Sequence, residues 1–197
     1  SLLKNLGVHY GALEVKMCKA EKNNFYLFRG RHPEVYGANV DLSLRNVIIF
    51  TVKMEQEFIN TAPQMSACSE ASKAYVEAAK VGMQLSYLIR NLGYNARCHM
   101  DGNYLLRGAP LAVDAGLGQI GRNGLIISGE NGCFVRLGFI TTDMDLEFDE
   151  KVDYDIPRFC KLCKMCIRTC PAKTITESDN AEDWKIDQQK CYSVWRN

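Results

Sequence analysis

Phe159–Pro171 reads FCKLCKMCIRTCP, which sets four cysteines in the spacing C-x2-C-x2-C-x3-C with a proline behind the last. Few patterns constrain a chain so tightly. A tight loop can bring cysteines spaced in this way to one face of a cube of iron and sulfide, while the cysteine after x3 is carried toward a second cluster. The spacing therefore predicts that Cys160, Cys163 and Cys166 ligate one [4Fe–4S] cluster, and that Cys170 and Cys191 belong to another. Zinc would favour two separated CxxC pairs or added histidines, and the chain has 3 histidines in all. A thioredoxin-like site needs one CxxC pair beside a strand rather than four cysteines in a row. A single cluster held by three of these cysteines and a substitute ligand stays open.

Two fully ligated clusters would need three cysteines more than these five. Cys191 stands in KCYSVW near the end of the sequence. It reads as the opening of a second cysteine motif that the chain does not complete, as a shortened chain or a natural remnant. The scattered Cys18, Cys68, Cys98 and Cys133 read as buried or incidental thiols. A disulfide framework would be spread more evenly and suits smaller secreted chains.

Hydrophobic residues make up 47% of the 197, and the formal net charge is +1. That is enough chain for a domain with a core, and no basic surplus argues for nucleic acid or an anionic membrane. No apolar run approaches the ~20 residues of a membrane span. No leader is visible, but the chain opens abruptly at Ser1-Leu2-Leu3. Its location stays open between the cytoplasm and an exported, membrane-associated state reached by loss of a leader.

Organisation follows from periodicity. NVIIFTVK at 46–53 is β-branched and continuous, which predicts a central strand. Ser69–Leu92 repeats apolar residues at helical spacing and is closed by Gly93. Shorter strands are expected at Val15–Met17, Phe25–Phe28 and Ala96–His99, and a short helix at Pro110–Ala115. Leu125–Ser128 and Cys133–Thr141 flank the turn cluster GENG, which reads as a β-hairpin. Asp143–Asp155 is acidic and linker-like, so a boundary is placed near 150. The expected class is α/β (or α+β): a core over 1–150 and a small, incomplete ferredoxin-like iron–sulfur module over 151–197.

Gly116-Leu-Gly118-Gln-Ile-Gly121 matches G-x-G-x-x-G, a dinucleotide-binding pattern when it joins a strand to a helix. Here PLAVDA before it is helical in character and LIIS after it is too short for a helix. The glycines suit a sharp turn or a close backbone approach to something large and flat.

Three blocks in order, DAGLGQIGRNGLII at 114–127, VRL at 135–137 with TTD at 141–143, and FCKLCKMCIRTCP, resemble the catalytic subunits of cobalamin-dependent reductive dehalogenases. Epoxyqueuosine reductase, a tRNA-modifying enzyme, shares a looser version. The resemblance runs from about Tyr36 to Trp195. It implies a nitroreductase-like core that binds a corrinoid, base-off and without a protein histidine ligand, followed by a two-cluster module. In keeping with that, D-x-H-x-x-G is absent. FMN is the alternative occupant of such a core.

By the same resemblance, electrons from a donor protein pass through the clusters to cobalt, and a carbon–halogen bond of a small organohalide is cleaved. The resemblance places the proton-donating tyrosine at Tyr75, the basic residue that favours its anion at Arg136, and a polar pocket residue at Asn103. Gly116, Gly118, Gly121, Arg122 and Asn123 fall where the corrin is contacted. Other readings remain beside it: Tyr75 as a core residue of an amphipathic helix, with Tyr104 the next candidate acid; a corrinoid carrier or electron relay without a reaction of its own; and a tRNA reductase, which the neutral charge opposes.

Overall fold

The structure, a computed structural model, describes residues 1–196. Helix α1 (Leu2–His9) leads into β1 (Glu14–Lys19), and a long irregular stretch comes after it. Next come β2 (Asn46–Lys53), the single turn α2 (Gln56–Ile59), α3 (Met65–Asn91), β3 (Ala96–His99), α4 (Gly108–Asp114), β4 (Gly118–Ile120), β5 (Ile126–Ser128) and β6 (Val135–Thr142). The chain ends in α5 (Ile156–Cys163), α6 (Met165–Thr169) and α7 (Gln188–Trp195). The class is mixed α/β. No helix among the described residues is long and apolar enough to cross a membrane.

Four strands form one antiparallel sheet in the order β1-β2-β6-β3. Alternation along β2 explains why its sequence is apolar throughout. Val47 and Ile49 face a cluster with Leu111 and Ala112 of α4, while Ile48, Phe50 and Val52 face Ala74, Val81, Leu85 and Ile89 of α3. A strand buried on both faces cannot alternate apolar with polar. Helix α3 presents its apolar stripe at three- and four-residue steps and ends at Leu92, after which Gly93 takes φ +95°. Near its start the buried Glu70 carboxylate accepts from Glu55 N–H at 2.8 Å and pairs with Lys73 at 3.2 Å. The Glu55 amide, ahead of Lys73, holds that carboxyl below the ordinary range.

Three expectations are corrected. Leu125–Ser128 and Cys133–Thr141 do not pair as a hairpin. Strand β5 turns back onto β4, and β6 inserts between β2 and β3. Only Ser128 and Gly132 bridge across the turn. Residues 135–142 are largely buried, and a three-residue partner cannot satisfy the backbone of an eight-residue strand. Phe25–Phe28 forms isolated bridges, Phe25 with Leu106 and Phe28 with Asn39, rather than a strand. The acidic stretch is fastened instead of loose. Asp149 accepts from Lys4 Nζ at 2.5 Å and Met17 N–H at 2.8 Å, and Gln119 Oε1 accepts from the amides of Tyr154 and Ile156 at 3.0 and 3.1 Å.

His99, 3% exposed, ends β3. Its Nδ1 accepts from Leu105 N–H at 3.3 Å, so Nε2 carries the hydrogen and donates to Thr141 Oγ1 at 3.0 Å. Burial first, then the charge of Arg97, pushes the imidazole down to about 3. An unfolded histidine titrates near ~6.5. Between those values the unfolded chain binds a proton that the folded chain refuses, so acidification below about 6.5 removes stability, at up to about 1.4 kcal/mol per pH unit. Between pH ~6.5 and ~5, above the carboxylate range, the urea midpoint is expected to fall with pH, and His99→Gln to flatten that slope. Equal slopes in the two proteins would remove His99 as the cause.

Candidate active site

Two elements distant in sequence meet at the start of β6. Tyr75 follows Ala74 on the buried stripe of α3, which sets its half-buried ring beside the strand. Arg136 is held in β6 opposite Val52. Its Nη1 donates to Tyr75 Oη at 3.2 Å, and its guanidinium carbon lies 4.0 Å from the centroid of the tyrosine ring. The guanidinium thus makes both a directed bond and a cation–π contact with one side chain. Arg136 Nε is buried without a hydrogen-bond partner. The pair opens on a cavity of about 390 Å³ walled by Tyr104, Leu106, Val135, Leu137 and Phe139.

Tyr104 stacks edge-on against Phe139, with centroids 6.0 Å apart. Burial first, then the charges of Tyr75 and Asp101, pushes its phenol up to about 12. It remains a neutral hydroxyl beside the Tyr75–Arg136 pair. Tyr26 also lines the cavity. Sequence reasoning misses it because it lies in the irregular stretch, where no periodicity marks a facing residue.

Asn103 faces a neighbouring cavity of about 320 Å³, which shares Tyr26 and Tyr104 with the first and adds Arg29, Arg31 and Asp101. Its Oδ1 accepts from Arg97 Nη2 at 2.6 Å. Asn103 is therefore one residue from the pocket wall but not in contact with the pair.

The glycine run serves its own backbone. Gly116 has φ +73°, its carbonyl accepts from Tyr154 Oη at 3.0 Å, and a Cβ there would strike the Glu150 carbonyl. Gly118 pairs with Ser128, and a Cβ would strike the backbone of Ile127. Gly121 donates to the Leu125 carbonyl at 2.8 Å, and Asn123 Oδ1 accepts from Leu125 N–H at 3.2 Å, which closes the β4–β5 turn. None of these residues lines the Tyr75–Arg136 pocket; Gly124, Leu125 and Ile126, just beyond them, do. Arg122 points to the other side. Its Nη1 donates to the carbonyls of Thr176 at 3.2 Å and Ser178 at 2.6 Å, and its guanidinium lies 4.4 Å from the Trp184 ring centroid.

Cys160 and Cys163 lie on α5 and Cys166 on α6, and Lys164 between the helices takes φ +50°. Burial first, then the charge of Cys160, raises the Cys166 pKa, while Arg122 opposes the rise. Cys170 Sγ lies 3.6 Å from Thr174 Oγ1, and the Thr174 carbonyl accepts from Asp187 N–H at 3.2 Å. The Asp187 carbonyl accepts from Cys191 N–H at 2.9 Å, so a short bonded path joins the surroundings of the last two cysteines. No three His, Cys, Asp or Glu among the described residues are gathered to hold a single metal ion. Soft thiols spaced closely in sequence are the donor type that an iron–sulfur cluster takes. The pocket wall is largely apolar, and none of His9, His32 and His99 lines it.

No protein-family model matches the chain. It is 33% identical over 168 residues to the tetrachloroethene reductive dehalogenase of Desulfitobacterium hafniense, an alignment covering 77% of this chain and 30% of that protein. The chain thus spans about a third of the length of such relatives. The solved catabolic reductive dehalogenase NpRdhA superposes with a TM-score of 0.85 at 24% identity, over 98% of this chain and 28% of its own. Epoxyqueuosine reductase of Lactococcus garvieae is 37% identical over 83 residues, 42% of this chain and 21% of that enzyme. In sequence and in fold together, this chain is a relative of the reductive dehalogenases, with epoxyqueuosine reductase a looser one.

Proposed function

We propose that this chain carries the proton-donating pair and the electron-entry block of a cobalamin- and iron–sulfur-dependent reductive dehalogenase. The observation that carries the reading is the contact of Arg136 with both the hydroxyl and the ring of Tyr75 inside one pocket. A bound corrinoid would supply low-valent cobalt to reduce a carbon–halogen bond, fed with electrons by the clusters. Replacing halogen by hydrogen takes two electrons and one proton and releases halide.

The proton is the part the chain's own residues supply. A phenol oxygen can accept one hydrogen bond while donating its own hydrogen. Because Arg136 donates to Tyr75 Oη, the tyrosine hydrogen is left free to point into the pocket. Once it is given up, the phenolate faces a guanidinium already in place, and the bond between opposite charges is stronger than the one the guanidinium makes to the neutral phenol. The apolar wall keeps water from competing for the same atoms. Cys160, Cys163 and Cys166 would hold one cluster, and Cys170 with Cys191 would contribute to the next. This divides the chain into a corrinoid-binding, nitroreductase-like core over 1–150 and a ferredoxin-like module over 151–197. An electron-donor protein and a small organohalide are the partners this chemistry requires.

The tRNA-modifying alternative has less behind it. The similarity covers 42–65% of the chain, against 77% for the dehalogenase, and 24 Lys and Arg against 23 Asp and Glu leave no surplus for phosphate contacts.

The test is anaerobic reconstitution with iron, sulfide and cobalamin, then visible and EPR spectroscopy and a measurement of halide release from an organohalide. Base-off cobalt and [4Fe–4S] signals with halide release are expected. Uptake of FMN in place of cobalamin, or cofactor loading without halide release, would sink the dehalogenase reading.

A further inference from the structure

Beside the Tyr75–Arg136 pocket lies the cavity of about 320 Å³ that shares Tyr26 and Tyr104 with it. Arg29 and Arg31 line this second cavity, and neither forms an ion pair or a side-chain hydrogen bond among the described residues. A third guanidinium, Arg97, stands behind the lining residue Asn103, and its Nε is buried without a partner. Asp101 is the carboxylate on the same lining, and it is exposed and pairs with none of the three. A chain balanced at +1 overall thus gathers a positive surplus at one cavity. Like charges held close repel, and an anion between them relieves the repulsion.

The local chain holds the arginines in place. The loop that carries them is closed at its neck, where Arg29 N–H donates to the Ala38 carbonyl at 2.9 Å and Gly37 N–H to the Arg29 carbonyl at 2.8 Å. Gly102, at φ +73°, leaves room for Arg31: a Cβ there would stand 3.2 Å from its Nη1. His32, between Arg31 and Pro33, lines the cavity and takes φ +67°. An L-residue seldom adopts that angle, least of all ahead of a proline, and such strain collects at ligand clamps. Tyr26 and Phe28 line the cavity as well, with 49% and 58% of their surface exposed. Exposed aromatic rings beside unpaired guanidiniums are complementary to a flat ring that bears a negative charge.

We infer that this cavity is an anion subsite of the candidate active site: Arg29 and Arg31 bind the carboxylate of a halogenated aromatic acid, whose ring lies between Tyr26 and Tyr104 and whose carbon–halogen bond is presented to the Tyr75–Arg136 pocket. This rests on the dehalogenase reading above and adds to it the chemical class of the organohalide. The division of labour follows from position. Arg136 is engaged with Tyr75, while Arg29 and Arg31 keep all their side-chain donors for a ligand. A guanidinium matches a carboxylate with two parallel bonds, which fixes the ring's orientation as well as its charge.

The test is chloride release by the anaerobically reconstituted protein from 3-chlorobenzoate and from 3-chlorobenzamide, which differ in charge and little in shape, with tetrachloroethene as a third, neutral substrate. Wild type is expected to prefer the acid. Replacing both arginines (Arg29→Gln with Arg31→Gln) is expected to lower the acid-to-amide ratio of kcat/KM by about tenfold or more, mainly through KM, as the loss of a charged hydrogen bond predicts. Wild type that releases chloride from none of the three compounds overturns the dehalogenase reading and this inference together. Release from tetrachloroethene without a preference for the acid over the amide overturns this inference alone, and so does an unchanged ratio in the double variant. Cobalamin content that falls with the arginines assigns them to the corrinoid and also overturns it. If the double variant does not accumulate, wild type decides: KM for the acid, not for the amide, rises severalfold with ionic strength, and equal responses overturn the assignment.

Discussion

Tyr75→Phe lowers halide release by about 10²- to 10⁴-fold, the range typical of a lost general acid, while cobalt and iron contents stay at wild-type levels. The substitution deletes one oxygen. The ring stays against the Arg136 guanidinium, whose carbon lies 4.0 Å from the centroid, so the pocket keeps its shape. What disappears is the transferable hydrogen and the acceptor 3.2 Å from Arg136 Nη1. Losing that bond to a charged group costs about 1.5–3 kcal/mol of stability, against the ~5–15 kcal/mol that holds a domain folded, so the protein stays folded and the loss of rate is chemical. Arg136→Lys also slows turnover, because an ammonium cannot bond to the oxygen and lie flat on the ring at once. If Tyr75→Phe turns over at the wild-type rate with full cofactor content, the acid is another group. Tyr104, on the same cavity wall, would then be tested first.

Gly116→Ala is expected to destabilise the fold by about 2–4 kcal/mol, adding the ~1–2 kcal/mol of a left-handed L-residue to a backbone shift. Gly116 takes φ +73°, and its missing side chain is the space filled by the Glu150 carbonyl. That contact brings the stretch leading to the cysteine block onto the end of α4. At about 2–4 °C per kcal/mol for a chain of this size, the melting temperature falls by roughly 10 °C. Gly132→Ala is the control. Gly132 has φ +57°, but nothing lies within 4 Å of its added methyl, so only the conformational part, about 1–2 kcal/mol, remains. Equal losses in the two variants would show that the Glu150 contact contributes nothing.

Much of the fold is legible in the sequence wherever one physical cause acts alone. Asn46–Lys53 and Ala96–His99 are strands at the boundaries their sequences imply, and α3 ends where Gly93 requires. Tyr75 and Arg136, 61 residues apart, do meet. The illegible parts depend on choices made elsewhere in the chain. Strand β6 carries no label saying that it prefers β2 to its sequence neighbour, because burial on both faces is decided by the whole sheet. The glycine run proclaims close approach without naming the partner, which proves to be backbone at Glu150 and Ile127. Arg122 reads in sequence as part of a ligand-facing loop. A turn spacing does not say which way its one long side chain leaves, and this one leaves toward the Thr176 and Ser178 carbonyls and the Trp184 ring.

Pairing between β3 and β6 stops at His99–Phe139, while pairing between β2 and β6 continues through Arg136 to Val135. Val135, Arg136 and Leu137 all line one cavity, which alternating side chains can do only where the cavity wraps around a free margin of the sheet. The pocket is therefore a berth left by a strand that ends too soon. The place where chemistry is proposed thus has rigid walls on one side, hydrogen-bonded through β2, and a replaceable lining on the other. Related chains could enlarge or reshape the berth by altering the residues after His99, without touching the strand that holds the arginine.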